Sequence, residues 1–303
     1  MSREQAFLDL LKPLARHPAA RGLADDAAVL ELDPGPLVLT HDMIVEGVHY
    51  LPDDPPGDVA WKLVAVNLSD LAAKGARPVG VLLGYALGNV DDDAAFVAGL
   101  EQALSAFDVT LLGGDTVRMP GASPRAHGLT AIGKAPPHGA PSRAGAMVGD
   151  LLYMTGRVGA AGLGLAIARG ERDGPAEWLA AYRRPQPRLA EGQALASLVH
   201  AMADISDGLL IDAARMANAS RLAVEIDLPV VPVPEGADRM TAVTAGDDYE
   251  LLFAAPPGLN VSQPGLAMIT PIGRFRDGSG LTLNGEQGVL ALPDVLGYEH
   301  DAP

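Results

Sequence analysis

Twice along this chain, short apolar runs of strand length alternate with stretches of helical periodicity. A Pro-rich segment without periodicity, APPHGAPS at 135–142, separates the two series. Such alternation points to helices layered on sheets. The expectation is therefore an α/β (α+β layered) chain of two α/β domains, 1–137 and 138–303. At 48% hydrophobic content, 303 residues are enough for two ordinary cores.

In the first series, Phe7, Leu8, Leu11 and Leu14 share a face and predict an amphipathic helix over 3–16, closed off by Pro18. Strands AAVLEL (27–32) and LVLTHD (37–42) flank the turn DPGP, and a helix is expected over 58–75. On that helix Asn67, Asp70 and Lys74 form one narrow polar stripe in a run otherwise mostly Ala, Val and Leu. A strand at 78–87, a helix at 91–106 and strands at 108–114 and 126–135 complete the series. The second series predicts a strand at 150–156, a glycine-rich helix start at 157–170 and helices at 187–200 and 207–219. Strands follow near 222–228, 250–255, 267–275 and 281–291.

Composition removes several functions. The acid excess, 38 Asp plus Glu against 22 Lys plus Arg, gives a formal charge of -16, which opposes binding to phosphate backbones, so no nucleic-acid partner is expected. With no cysteine there are no disulfides, thiolate nucleophiles or sulfur-based zinc sites; any metal needs oxygen or imidazole ligands. SREQAFLDLLKPLAR has no uninterrupted apolar core of the signal-peptide kind, and no window resembles the run of about 18 apolar residues that a membrane span needs. A soluble, cytoplasmic protein is expected.

Against that background the placement of acids is informative. In ADISDGLL (203–210) Asp204 and Asp207 stand three apart among apolar neighbours where a helix should begin. Either they cap it, or a cation sits between them. Asp25 and Asp26, Asp42, Asp70, Asp115, and Asp247 with Asp248 recur at element ends and turns. Taken singly, each suits a turn or an N-cap. If several converge, repulsion would keep some protonated unless divalent cations held them ionised, and Mg²⁺, which bridges to substrate phosphates, is the natural solution. The P-loop signature and G-x-G-x-x-G are both missing. GRVGAAGLG reads equally as a helix start packed on a strand or as a phosphate cradle. GGDT (113–116) is the better cradle, its glycines exposing N–H groups beside a carboxylate.

The motifs GLADDAAVL, LTHDMIVEGVHY, AVNLSDLAAKGARP, LLGGDT, PSRAGAMVGD, DISDGL, GDDYEL and GYEH occur in this order from about residue 3 to 300. In order and spacing they resemble the thiamine-monophosphate kinase family. That family shares a superfamily with aminoimidazole ribonucleotide synthetase, selenophosphate synthetase and a hydrogenase maturation protein. VEGVHY with NLSDLAA favours the kinase over its cousins.

The resemblance implies ATP-dependent phosphorylation of thiamine monophosphate to thiamine diphosphate, assisted by several Mg²⁺ ions. It also implies a homodimer whose N-terminal mixed sheets, with helices on one face, pair, and a C-terminal α/β sandwich. By the same resemblance Asp26, Asp42, Asp70, Asp115 and Asp204 are metal ligands, with Thr40, His41 and Asp207 in the same set; Asp42, Asp70, Asp115 and Asp204 carry the catalysis. Gly114, Asp115, Arg143 and Ser206 are implied at the nucleotide, and His49, Asp247 and Tyr298 at thiamine monophosphate. Three positions depart from the family: Ala24 for Gly, His41 for Thr or Ser, and Asp247 where Glu is frequent. Two alternatives stand beside this reading, another ATP-dependent enzyme of the superfamily and a non-catalytic divalent-cation or nucleotide-binding protein.

Overall fold

The structure, a computed structural model, describes residues 3–25, 27–31, 34–121, 123–259 and 265–300. The chain divides into two compact units, Met1–Leu71 with Arg77–Ala135, and Ala72–Ala76 with Pro136–Pro303. Each contains a mixed sheet with helices packed on it.

In the first unit β1 (Leu37–Val45), β2 (Arg77–Ala86), β3 (Leu111–Val117) and β4 (Ala126–Lys134) lie in the order β1-β4-β2-β3. β4 is antiparallel to β1 and β2, whereas β2 and β3 are parallel and need a crossover. After α1 (Arg3–Leu11) and α2 (Pro56–Ala73), helix α3 (Val90–Ala106) supplies it. Its start is fixed by Asn89, whose side chain accepts the Asp92 N–H at 2.9 Å, and by Asp91, Asp92 and Asp93 in the first turn.

Burial alternates along the strands: Val81, Leu83 and Tyr85 of β2 and His127, Leu129 and Ala131 of β4 are all buried. This is the helix-covered face, where Phe96 of α3 and Phe7 of α1 pack on Tyr85, each at 4.4 Å between ring centres. α2 is apolar almost all round and correspondingly buried from Val59 to Ala73 apart from Asp70. The opposite face carries Leu39, 64% exposed, and Met43, 52% exposed.

His127 sits among Tyr85, Phe96 and Tyr50, with ring centres 4.7, 5.3 and 6.1 Å away. Burial, helped by the nearby Arg125 charge, lowers its pKa to about 3. The folded state therefore holds this ring neutral, while the unfolded chain takes up a proton near pH 6.5. The stabilisation is complete above that value and is lost as pH falls from 6.5 towards 3, by about 1 kcal/mol per pH unit. His127→Phe is expected to be less sensitive than the parent between pH 6.5 and 5 in chemical denaturation; equal slopes would show that the ring does not titrate in this way.

The second unit has seven strands: β5 (Leu151–Thr155), β6 (Ala201–Ile205), β7 (Ala223–Asp227), β8 (Glu250–Ala255), β9 (Ile269–Arg276), β10 (Gly280–Gly285) and β11 (Gly288–Leu290). Their order is β11-β10-β7-β9-β5-β8-β6. The helices are α4 (Ala160–Ala168), α5 (Ala176–Arg183), α6 (Leu189–Leu195), α7 (Leu209–Ser220) and α8 (Arg239–Thr244). Every residue of β6 and β8 is buried, as in strands covered on both faces. On one side Ile205 and Leu252 meet Leu209, Leu210 and Met216 of α7. On the other, Tyr153, Met202 and Phe253 meet Ala72, Ala73 and Leu195.

Several expected elements differ. α1 stops at Leu11 because Pro13, lacking an N–H, turns the chain into a 3-10 segment, Lys12–Leu14. Residues 27–31 form no strand; Val29 instead donates its N–H to Ala19 O at 3.1 Å, because a short apolar run does not by itself supply a partner strand. β3 starts at Leu111, after Asp108 turns the chain in a left-handed conformation (φ 50). The helix expected over 187–200 is the shorter α6, followed by β6, and the strand expected over 281–291 is the hairpin β10–β11. α5, α8 and β6 lie where no element is expected.

Candidate active site

In the first unit the polar stripe of α2 meets β1. Strand alternation puts Thr40 and Asp42 on the helix-covered face, and the stripe answers them: the Thr40 hydroxyl donates to Asp70, and Asn67 Oδ1 accepts the Asp42 main-chain N–H at 2.9 Å. Asn67, fully buried, also donates to Leu63 O at 2.9 Å. Two carboxylates and a hydroxyl are thus presented by neighbouring rigid elements. Lys74, at the end of the stripe, donates to Met202 O at 3.3 Å within the second unit.

His41 lies on the other face of β1, its Nδ1 2.9 Å from Thr130 Oγ1. With Asp25 and Asp115 it lines a cavity of about 830 Å³ in the first unit, bounded by β2, β3, β4 and α1. Gly114 stands at φ 157, where a Cβ would come within 1.9 Å of Leu83 O, so close contact between β2 and β3 requires glycine there whatever it binds. Asp26 lies outside the described residues.

His49 follows β1 in a turn. Its Nδ1 accepts the Val45 N–H at 3.1 Å, which leaves the proton of a neutral ring on Nε2. The His49 carbonyl accepts Lys62 Nζ at 2.9 Å; Lys62 is only 2% exposed, a buried cation on α2 that sequence reasoning missed. Its one signal was a lone lysine in DVAWKLVAV.

In the second unit three motifs far apart in sequence meet at the turn between β6 and α7. Asp204 is buried near the end of β6, rather than at a helix start, in register with Leu251. The Asp247 N–H donates to Ser206 O at 2.7 Å, the Tyr249 N–H to Ile205 O at 2.8 Å, and the Tyr298 N–H to Asp207 O at 2.8 Å. Ser206, Asp207, Asp247 and Tyr298 are therefore neighbours. Arg143 is exposed and is not brought among them; the carbonyl of its neighbour Ser142 accepts the Met202 N–H at 2.9 Å, near the opposite end of β6 from Ser206.

The capping question raised by ADISDGLL has an unexpected answer. Neither Asp204 nor Asp207 caps α7; Asp212, from inside the helix, accepts the N–H groups of Ser206, Asp207 and Gly208 at 3.1 to 3.3 Å. Asp207 is instead paired with Arg215, which also holds Asp212 at 3.1 Å. Burial, with the Asp207 charge, raises the Asp212 pKa above the usual carboxylate range, and the Asp207 N–H and Arg215 oppose it.

Asp248 takes the donors of the glycine-rich helix start. Its carboxyl group accepts the Gly159 N–H at 2.8 Å and the Ala161 N–H at 3.5 Å, so the first turn of α4 is filled by an internal acceptor rather than left open as a phosphate cradle. Burial pushes the Asp248 pKa well up, against those two N–H groups. Next to it Glu250, buried, accepts Arg188 through Nε at 2.6 Å and Nη2 at 2.5 Å, and the Thr155 hydroxyl at 2.6 Å. Asp212, Arg215, Arg188 and Glu250 carried no recognisable signal beyond being charges in apolar surroundings.

Among the described residues no three His, Asp or Glu side chains gather as a preformed metal cage. Mg²⁺ does not require one: it is usually held by one or two carboxylates and completes its octahedron with water and substrate phosphate oxygens. The oxygen donors at Thr40, Asp42 and Asp70 fit such an ion chemically.

Known proteins resemble this chain over nearly its whole length. The family described as AIR synthase related protein, N-terminal domain, matches residues 24–135, and its C-terminal domain counterpart matches 147–285. A thiamine-monophosphate kinase from Caulobacter vibrioides is 38% identical over 96% of this chain and 88% of its own. The crystal structure of thiamine-monophosphate kinase from Stenotrophomonas maltophilia superposes with a TM-score of 0.79 at 33% identity, covering 91% of this chain and 94% of that one. AaThiL complexed with AMPPCP and TMP superposes with a TM-score of 0.79 at 26% identity, over 99% of both chains. With the motifs in order, both sheets matched and the identity sustained along nearly the whole length, this chain belongs to the thiamine-monophosphate kinase family.

Proposed function

We propose that the protein transfers the terminal phosphoryl group of ATP to the phosphate of thiamine monophosphate, giving thiamine diphosphate and ADP. The observation that carries this reading is the full-length likeness to a family member complexed with AMPPCP and TMP, the latter taken as thiamine monophosphate. An acceptor phosphate is already ionised at neutral pH, so no strong general base is needed, and rate comes from alignment and charge neutralisation.

In this reading Thr40, Asp42 and Asp70, with Asp26, are Mg²⁺ ligands of the first unit, Asp115 is a ligand on the cavity side of the same sheet, and Asp204 and Asp207 are Mg²⁺ ligands of the second unit. His41, whose ring turns to the opposite face, would contribute only main-chain oxygen. When bound, Mg²⁺ supplies the positive charge that lets two polyanions approach. Gly114 and Asp115 of the first unit, and Arg143 and Ser206 of the second, are read as nucleotide contacts. His49 of the first unit serves the acceptor; in the second unit the Asp247 carboxylate is read against the cationic thiazolium and the Tyr298 ring, 44% exposed and packed edge-on to His300 at 5.1 Å, as a stacking surface for it. The Asp207 carboxylate has to be shared between Arg215 and any metal there.

We read the domains as 1–137 and 138–303. The exposed apolar residues of β1, Leu39 and Met43, support pairing of the first sheets in a homodimer. None of the helices among the described residues is long and apolar enough to cross a membrane, which is compatible with a cytoplasmic location.

The purified protein supplied with ATP, Mg²⁺ and thiamine monophosphate should form thiamine diphosphate and ADP, with both products dependent on all three. A superfamily relative of other specificity would ignore thiamine monophosphate, and a binding protein would be stabilised by nucleotide and metal without turnover. Either result removes the assignment.

A further inference from the structure

The segment Gly246–Tyr249 has an unusual backbone. Asp247 (φ 66) and Tyr249 (φ 52) both occupy the left-handed region, following Gly246 at φ 73. Side chains of this kind rarely adopt that conformation, and such residues persist only where their surroundings over-determine them. Here the surroundings are visible. The main chain is pinned on one side by bonds from Asp247 to Ser206 and from Tyr249 to Ile205, and a Cβ on Gly246 would lie 2.8 Å from Ser206 O. Between the two left-handed residues, Asp248 turns the other way and binds the Gly159 N–H with both carboxylate oxygens, at 2.9 and 2.8 Å.

We propose that Asp248 is a positioning residue: by tying Gly246–Tyr249 to the first turn of α4 it holds Asp247 in its left-handed conformation, and so aims the Asp247 carboxylate at the substrate. The proposal rests on the reading of Asp247 as a thiamine monophosphate contact. Asp248 itself touches no substrate; its effect runs entirely through its neighbour.

A double-mutant cycle tests this. Asp248→Ala is expected to raise KM for thiamine monophosphate about tenfold or more, with KM for ATP changed by less than about twofold. Asp248→Asn, which keeps one oxygen acceptor for the Gly159 N–H, should recover most of that loss. Asp247→Asn tolerates the left-handed backbone and removes the charge; adding Asp248→Ala to it should cost little more, since the group being aimed has gone. Should Asp248→Ala fail to fold by circular dichroism, Asp248→Asn carries the same cycle with a smaller expected effect. Losses that add in full, or equal changes in kcat and in both KM values, overturn the proposal. If Asp247→Asn alone leaves KM for thiamine monophosphate unchanged while turnover persists, the assignment of Asp247 fails and the proposal with it, but the proposed reaction stands.

Discussion

Asp42→Asn is expected to lower kcat/KM for thiamine diphosphate formation by about a thousandfold or more with the fold intact. The carboxylate belongs to β1, whose backbone is fixed independently of the side chain: Asp42 is in register with Leu129 of β4, and its N–H is held by Asn67. The substitution is isosteric and removes only charge, so the loss reports on neutralisation of the reacting phosphates and not on strand geometry. Asp115→Asn, on β3, should behave in the same way. Steady-state kinetics with a melting curve on each variant decides it. Retention of more than about a tenth of the activity by Asp42→Asn would remove that side chain from the proposed metal set.

The largest effect on stability is expected at Arg188. Its guanidinium makes a two-pronged contact with Glu250, whose carboxylate is otherwise met only by the Thr155 hydroxyl among the bonds resolved around it, and Glu250 is 4% exposed. Arg188→Ala leaves that acid buried without its cation, which should destabilise the second unit by about 3 to 5 kcal/mol. The double variant Arg188→Met with Glu250→Leu should recover much of the loss, because it removes both desolvated charges and refills the space. Urea titration followed by circular dichroism measures both. A change below about 1 kcal/mol for Arg188→Ala would mean that Glu250 finds another partner or takes up a proton.

Legibility differed between parts of the molecule. The alternation of elements gave two layered α/β series, and α2, α3, β2 and β4 formed close to where periodicity and capping residues put them. The stripe of Asn67 and Asp70 was readable because an apolar helix has no other use for polar groups on one face, and it does meet Thr40 and Asp42. β6 fell unassigned between two expected helices because a strand buried on both faces has no period of two to betray it. Residues 27–31 carried a short apolar run of strand length and formed no strand, because a ladder needs a neighbour as well as a run of suitable residues.

The sequence by itself determined the kinds of group available and their order: oxygen donors without sulfur, acids at element ends, and a motif series that resembles one kinase family. It did so because composition, periodicity and turn chemistry are local. Tertiary structure alone decided which acid does what. Asp212, and not Asp204 or Asp207, gathers the N–H groups at the start of α7, and Asp248 fills the glycine-rich turn of α4 from a segment nearly ninety positions away in the chain. Such roles depend on which unpaired donors and cations the fold brings within about 3 Å of a carboxylate, and spacing along a chain does not encode that distance.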